Sequence, residues 1–454
     1  MRALAVALVM LLVGCTPAAV PSATTSDTRI PSGTQSPPAS PAATQPSASV
    51  TASPGAALGE IVEHRSGAAR NPADAATPDQ LAAMVAGDQA FAFDLYRSLI
   101  GSEPGNVFFS PYSISTALSM LLAGARGSTA EELAEALHAE DDAAWHLARN
   151  RLELELAALA DYEMTGSPDA VPLTLEPTNA FFGRSGYPFH EEYLDELAAN
   201  YGAGIHALDF VNRTEPSREA INDWVAERTR DRIPELLPSG FVKPSTVAVL
   251  VNAIFFKANW LYQFDASDTD NAPFRMLNGS TVDVPLMERQ EKWQYVEGDG
   301  WQAVELPYVG GASMLMIVPR EDRFAEVEAL VDEAFVADLR AGLTEHLVSL
   351  KMPRWESELN VDLIPHLRSL GVNRIFDDAD LTGIADAALS VSGVVHSANV
   401  TVDEKGTEAA AATAVGILDS GAPPAVLTVD RPFMYLIYDD DNGEILFFGR
   451  LLRP

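Results

Sequence analysis

The sequence predicts a mixed α+β fold in which helices and strands are segregated along the chain. Helical periodicity dominates the part that follows residue 77, and short apolar strands dominate the part towards the C-terminus. The sequence lacks the regular strand–helix alternation that would indicate a parallel α/β sheet. The 454 residues, 47% of them hydrophobic, are enough for one large domain with a sizeable core.

Composition divides the chain into a signal peptide at 1–14, a tether at 15–76 and a folded domain at 77–454. Residues 16 to about 76 are rich in Pro, Ser, Thr and Ala, and they cannot bury enough apolar surface to offset the entropy cost of ordering. We therefore expect a disordered tether, and a flexible chain of about 60 residues has a root-mean-square span of roughly 45 Å.

The N-terminus has the pattern of a bacterial lipoprotein signal. A basic start is followed by an apolar run, Ala3–Val13, and Leu12–Cys15 closes the motif. The run is too short to remain as a membrane-spanning helix. Cys15 is the only cysteine, so we expect a lipid on its sulfur and no internal disulfide. The protein would then be secreted and anchored to the outer face of a bacterial membrane, extracellular or periplasmic; the alternative is an ordinary secretory signal.

Helices are predicted first along the folded domain. Asp79–Ile100 has helical periodicity, and Ser110 followed by Pro111 is a favourable start for a helix that runs to Gly124. Further helices are predicted at 129–138, 141–160, 188–200 and 216–231.

The predicted strands lie mainly beyond these helices. Val247–Trp260 is a long apolar stretch with β-branched and aromatic residues, as expected of a buried strand. Other strands are predicted at 107–109, at several places between 280 and 320, at 391–402, and at 427–438 and 444–450 around the turn 440–443.

Charge and motifs exclude several functions. The net charge of −34 argues against nucleic acid and anionic lipid surfaces as partners. His190-Glu191 begins like a zinc-protease motif, but Leu194 stands where the second histidine would be required. The nearest match to a serine nucleophile elbow, at 311–315, fails at Leu315, and no glycine-rich phosphate loop is present. We therefore expect neither an enzyme nor a bound metal or cofactor.

The segment Asp403–Val415 has an unusual composition. Its alanine run is compatible with a helix or a flexible linker, because alanine is the best helix former. As a strand, however, it would place only uncharged side chains on one face and Glu408 on the other. That uncharged face would consist of Thr407, Ala409, Ala411, Thr413, Val415 and Ile417. Such a strand could enter between two existing strands without burying a charge.

Residues 78–454 resemble the serpin family of serine protease inhibitors at several widely spaced motifs. Leu427–Ile437 is similar to the C-terminal signature of that family, and 443–450 with Pro454 is similar to its last strand. Asn106–Leu122 and Val251–Trp260 resemble its buried second helix and a central strand of its main sheet. The hinge of the family's reactive loop is matched by Glu404, Gly406, Thr407, Glu408, Ala409, Ala410, Ala411, Ala412 and Thr413.

The resemblance implies a serpin fold, with three β-sheets, eight or nine helices and an exposed reactive-centre loop. It also implies inhibition by suicide-substrate trapping, in which a protease cleaves the loop and the loop then inserts into the main sheet with the protease attached. A monomer without a cofactor is expected, and the acidity argues against a heparin-type activator. The alternatives are a non-inhibitory serpin acting as a carrier or surface binding protein, and an extracellular hydrolase.

Spacing places the reactive bond. The bait residue of the family usually lies fourteen positions beyond the hinge glycine, which gives Ser420 here, with cleavage before Gly421. Counting back from Pro432 gives Gly421 instead. A small bait residue favours an elastase-like or subtilisin-like protease, whereas Leu418 would suit a chymotrypsin-like enzyme and Asp419 an aspartate-specific one.

Five further residues match structural positions of the family. The shutter, a buried polar cluster beneath the place where the strands of the main sheet part, is matched by Ser110, Ser113, Asn252 and His396. The breach, at the top of that sheet where insertion starts, is matched by Trp260. From the residues alone, these would be polar core positions, two of them near a helix start, and a core tryptophan.

Overall fold

The computed structural model describes residues 60–139, 143–159, 173–407 and 424–454. None of the helices in these ranges is long and apolar enough to cross a membrane. The α-helices of the described residues are α1 Pro78–Ser102, α2 Pro111–Gly124, α3 Gly127–Ala136, α4 Ala143–Ala158, α5 Glu191–Tyr201, α6 Thr214–Arg228, α7 Phe324–Leu330, α8 Glu333–Gly342, α9 Ile364–Ser369 and α10 Arg374–Asp377.

The strands of the same residues are β1 Val62–His64, β2 Val107–Phe109, β3 Thr174–Arg184, β4 Ile205–Leu208, β5 Ala248–Asn259, β6 Thr269–Arg275, β7 Thr281–Gly298, β8 Trp301–Pro307, β9 Ala312–Pro319, β10 Thr344–Pro353, β11 Trp355–Asp362, β12 Val391–Asp403, β13 Gly406–Thr407, β14 Ala425–Thr428, β15 Phe433–Asp439 and β16 Ile445–Leu451. The mixed α+β class predicted from the sequence is confirmed.

The strands form two hydrogen-bonded sheets. The first has seven strands in the order β1-β4-β3-β5-β13-β12-β11, and the second runs β14-β10-β7-β8-β9-β15-β16-β2 with β6 beside β7. A third sheet was expected, but β7 is 18 residues long and joins two parts of the second one. Residues 281–287 of β7 pair with β6, residues 286–295 pair with β10, and residues 294–298 pair with β8.

Helix α2 lies between the two sheets. Ser110 accepts a hydrogen bond from the backbone of Ser113 and Pro111 occupies the first turn, so the helix begins where the sequence predicted. All but one of its residues are buried, because it contacts β3 and β5 of the first sheet and β16 of the second. This packing places its N-terminus directly beneath the central strands of the first sheet.

Three expectations need correction. The predicted strand 427–438 is divided into β14 and β15, because Pro432 lacks a backbone donor and Asp430 turns its carbonyl towards the backbone of Arg275. Helices α7 to α10, beyond residue 320, were not predicted; three of them have seven residues or fewer. Residues 60–76, assigned to the disordered tether, instead form β1 and a 3-10 turn at Ala73–Ala75.

Candidate functional site: the hinge and the polar clusters of the first sheet

The two central strands of the first sheet pair over only part of their length. Strands β5 and β12 are parallel, and their register ends at Ile254 and Ala398. Beyond that point the two-residue strand β13 lies between them and pairs antiparallel with both. The first residues of the segment that resembles a reactive-loop hinge therefore lie within the sheet, between β5 and β12.

Gly406 occupies a position that only glycine can fill. It pairs with Asn259 on one side and Asp403 on the other. Its φ of +148° is disfavoured for residues with a side chain. A Cβ atom at this position would lie 2.1 Å from the carbonyl oxygen of Ala258. The glycine thus allows the chain to reverse and enter between the strands.

Thr407 is buried, and its side chain points into the core of the molecule. Its hydroxyl lies 2.9 Å from the phenol oxygen of Tyr308, whose ring stacks on Trp260 with 4.3 Å between centroids. The indole N–H of Trp260 donates to the carbonyl of Asp403 at 3.0 Å, and its backbone N–H donates to that of Lys405 at 2.8 Å. Trp260 therefore holds the turn that leads into β13. Burial raises the pKa of Tyr308, which stays protonated.

Glu404 anchors the same turn by its side chain. Its carboxylate pairs with Arg354 and accepts a hydrogen bond of 2.6 Å from the hydroxyl of Thr269. Its carbonyl accepts from the backbone N–H of Phe264 at 2.7 Å. Partial burial acts to raise the pKa of Glu404, but the bonds from Arg354 and Thr269 outweigh burial and lower it. The ionised carboxylate therefore bonds the hinge to Arg354, between β10 and β11, and to Thr269 of β6.

A second cluster lies where β5 and β12 are still paired. His396 and Asn252 stand opposite each other in the parallel register, and Asn252 stands opposite Asn179 of β3. The Asn252 amide donates to the hydroxyl of Ser113 at 2.7 Å and to Asn179, and Ser113 donates to Asn179 at 2.9 Å. Ser110 joins through its backbone N–H, which donates to Nε2 of His396 at 3.2 Å. The four predicted shutter residues thus come together in one network.

The contacts of His396 define its protonation. Because Nε2 accepts from Ser110, the ring proton lies on Nδ1, which donates to Oδ1 of Asn252. The ring is fully buried, and burial lowers the pKa of His396 to about 3. The imidazole is therefore neutral and bridges α2 to the sheet without a charge.

Four residues of these clusters were missed in the sequence: Asn179, Thr269, Tyr308 and Arg354. Asn179 had a weak signal, because an amide within an apolar strand needs partners. Tyr308 had none, since its partner Thr407 lies 99 positions away, and Arg354 and Thr269 had none, since their partner Glu404 lies 50 and 135 positions away along the chain.

The remaining predicted site residues lie outside the described residues. They are Glu408, Ala409, Ala410, Ala411, Ala412 and Thr413 of the hinge, Leu418, Asp419, Ser420 and Gly421 around the reactive bond, and Cys15.

Both clusters bond strands of the first sheet to their neighbours: one bonds Trp260 to the turn before β13 and Thr407 of β13 to Tyr308, and the other bonds β12, β5 and β3 to α2. Within residues 60–139, 143–159, 173–407 and 424–454, no group of three or more His, Cys, Asp or Glu side chains is arranged to hold a metal ion.

Comparisons with known proteins agree with this geometry. The family model described as serpin (serine protease inhibitor) matches residues 86–454. The chain is 40% identical over 374 residues to an uncharacterized serpin-like protein of Thermococcus kodakarensis, covering 80% of this chain and 84% of that protein. It is 37% identical to the leukocyte elastase inhibitor of Sus scrofa, covering 81% and 99%. The solved structure of human thyroxine-binding globulin complexed with thyroxine superimposes with a TM-score of 0.73 at 29% identity, covering 83% and 99%. The chain is a member of the serpin family, and its fold is the serpin fold.

Proposed function

We propose that this serpin inhibits a serine protease by suicide-substrate trapping, as a monomer and without a cofactor. The observation that carries the proposal is the position of β13. The hinge already occupies the top of the gap between β5 and β12, with Thr407 buried and Gly406 paired on both sides.

Insertion of the cleaved loop would lower the free energy of the molecule. Beyond Ile254 and Ala398, the two residues of β13 are the only described ones that pair with the facing edges of both β5 and β12. A new strand would pair with both edges and bury one face. A 14-residue insert spans roughly 46 Å at 3.3 Å per residue, which is enough to carry an attached protease across a domain.

The proposed bait residue is Ser420, and the proposed target is an elastase-like or subtilisin-like protease. The name of the leukocyte elastase inhibitor among the relatives supports a protease with a small specificity pocket. Leu418 and Asp419 are the alternative bait residues, for chymotrypsin-like and aspartate-specific enzymes.

Mixing the protein with a panel of these proteases tests the proposal. We expect an adduct that survives SDS, and a released C-terminal peptide that starts at Gly421. A protease whose catalytic serine has been blocked is the control and should give no adduct, because the acyl bond cannot form. A peptide that starts at Asp419 or Ser420 would move the bait residue to Leu418 or Asp419. Cleavage without any adduct would contradict inhibition.

A non-inhibitory binding or carrier protein is the alternative function. The family contains the thyroxine-binding globulin that was solved with thyroxine, so its fold also supports ligand binding. The hinge of this chain argues for inhibition, because Gly406 and Thr407 already enter the sheet without burying a charge. The adduct experiment separates the two functions.

We also propose that the protein is anchored by a lipid on Cys15, on the outer face of a bacterial membrane. The motif Leu12–Cys15 and the absence of any other cysteine in the sequence support this. Cys15→Ser should move the protein from the membrane fraction to the soluble fraction. Equal fractionation of the variant and the wild type would contradict the anchor.

A further inference from the structure

The segment Glu60–Ala76, here called the clasp, precedes the residues matched by the family model and lies against the folded domain. Its first part is β1, whose residues Val62, Glu63 and His64 pair antiparallel with the outer edge of β4. The clasp therefore extends the half of the first sheet that contains β4, β3 and β5.

The second part of the clasp is bonded to helix α4. Arg70 donates through Nε to Asn150 at 2.6 Å and through its terminal nitrogen to Glu153 at 2.5 Å. The Asn150 amide donates back to the carbonyl of Asn71 at 3.0 Å. Both charged groups of the ion pair are largely shielded, with 28% of the Arg70 side chain and 15% of the Glu153 side chain exposed. Such a pair is screened less by solvent than one on the open surface.

Helix α4 is bonded in turn to helix α1. Arg149 of α4 forms two hydrogen bonds, of 2.5 and 2.6 Å, with the carboxylate of Asp88 in α1, and both side chains are buried. Helix α1 packs on β16 of the second sheet, and β11 and β12 pack on β2 of the same sheet. Through α1 and the second sheet, α4 is therefore connected to β12, on the far side of the gap from β5.

A pocket of about 250 Å³ lies between α4 and the first sheet. It is lined by Arg70 of the clasp, by Glu153 and Leu156 of α4, by Thr116 of α2 and by Asn179 of β3. The bonds of Arg70 to Asn150 and Glu153 lie at the edge of this pocket.

We propose that the clasp is a restraint on the opening of the first sheet, built from the N-terminal segment. A full-length strand inserted between β5 and β12 must separate these strands by one further spacing of about 4.8 Å. The half with β1, β4, β3 and β5 then moves relative to α4, and the contacts of Arg70 with Asn150 and Glu153 cannot survive that displacement. The clasp stabilises the closed, inhibitory form and contributes nothing to the inserted form. This inference rests on the proposed inhibitory function.

Arg70→Ala in the full mature chain tests the clasp, by the melting temperature (Tm) of the intact form and of the loop-cleaved form. We expect the Tm of the intact form to fall by roughly 2–4 °C and that of the cleaved form to be unchanged. The half-life of inhibitory activity during incubation without protease should also shorten severalfold. Arg70→Lys, which keeps the charge, serves if the alanine variant folds poorly, with the same pattern at smaller size.

Arg65→Ala is the matched control. It removes an arginine from the same segment, but the Arg65 side chain is half exposed. Its ion pair, with Glu63 of the clasp itself, has an N–O distance of 3.8 Å. It should change neither Tm nor half-life. Equal losses of Tm in the intact and cleaved forms of Arg70→Ala would overturn the clasp and leave the inhibitory function standing. A wild type whose Tm does not rise on cleavage would overturn the proposed function, and the clasp with it.

Discussion

Under the proposed mechanism, we expect entry of the loop to depend on the side chain of Thr407. It is buried against Tyr308, and its hydroxyl is satisfied there at 2.9 Å. An arginine at this position would bury an unpaired charge in the intact form, at a cost of several kcal/mol, so we expect β13 to leave the sheet in this variant. Insertion of the cleaved loop would then have to bury the charge. An increase of only about 2 kcal/mol in the insertion barrier slows the step roughly 30-fold. The protease would then complete hydrolysis before it is trapped.

Thr407→Arg should therefore turn the inhibitor into a substrate, cleaved at the same bond without a stable adduct. The measurement is the number of moles of serpin consumed per mole of protease blocked. Glu408→Arg is the matched control, because alternation along a strand places residue 408 on the opposite face from Thr407. Similar stoichiometries for the two variants would mean that the hinge does not insert in this register.

At the scale of elements, the behaviour of the first sheet follows from where β5 and β12 stop pairing. The shutter network lies at Asn252 and His396, inside the paired stretch, and β13 lies beyond its end. Under the proposed mechanism, we expect opening to proceed from β13 towards the shutter and to break the bonds between the two strands in turn. Helix α2 fixes the shutter from below, because the N-terminal residues Ser110 and Ser113 bond to β12 and β3. A neutral His396 can exchange these partners without moving a charge.

At the scale of the whole molecule, two buried groups make opposite contributions to the pH dependence of stability. Burial lowers the pKa of His396 from 6.5 to about 3, so its contribution is complete above pH 6.5 and is lost as the pH falls towards 3. Burial, and then the neighbouring carboxylate of Asp88, raise the pKa of Glu444 well above 4.5, although Arg149 opposes this. The contribution of Glu444 is therefore complete below pH 4.5 and is lost as the pH rises.

Replacing either residue with glutamine should remove its contribution to the pH dependence of the free energy of unfolding. Relative to the wild type, the free energy of unfolding of His396→Gln should increase as the pH falls below 6.5. Relative to the wild type, the free energy of unfolding of Glu444→Gln should increase as the pH rises above 4.5. Each change is at most about 1.4 kcal/mol per pH unit. Urea unfolding at a series of pH values measures both; parallel curves for the variants and the wild type would contradict the assigned protonation states.

The bounds of several helices and strands and the uncharged face of the hinge could be predicted from the sequence, because they depend on residues close together in the chain. Helical periodicity predicted α1 and a continuous apolar stretch predicted β5, each to within about two residues, and Ser110-Pro111 predicted the start of α2. The small, uncharged face that begins at Thr407 is likewise a property of consecutive residues. The tether boundary was misplaced because composition shows a poor capacity to form a core, whereas β1 is stabilised by pairing with the edge of β4.

Only the tertiary structure decided which distant residues meet. Ser110 and His396 are 286 positions apart, and Tyr308 and Thr407 are 99 apart, so no spacing along the chain could join them without a known family as a guide. The bonds of Arg70 to α4 are equally non-local. Local propensity and alternation determine what a segment can form and which face it can bury. The partner of that face depends on the packing of the whole chain, where a strand gains its hydrogen bonds from another part of the sequence.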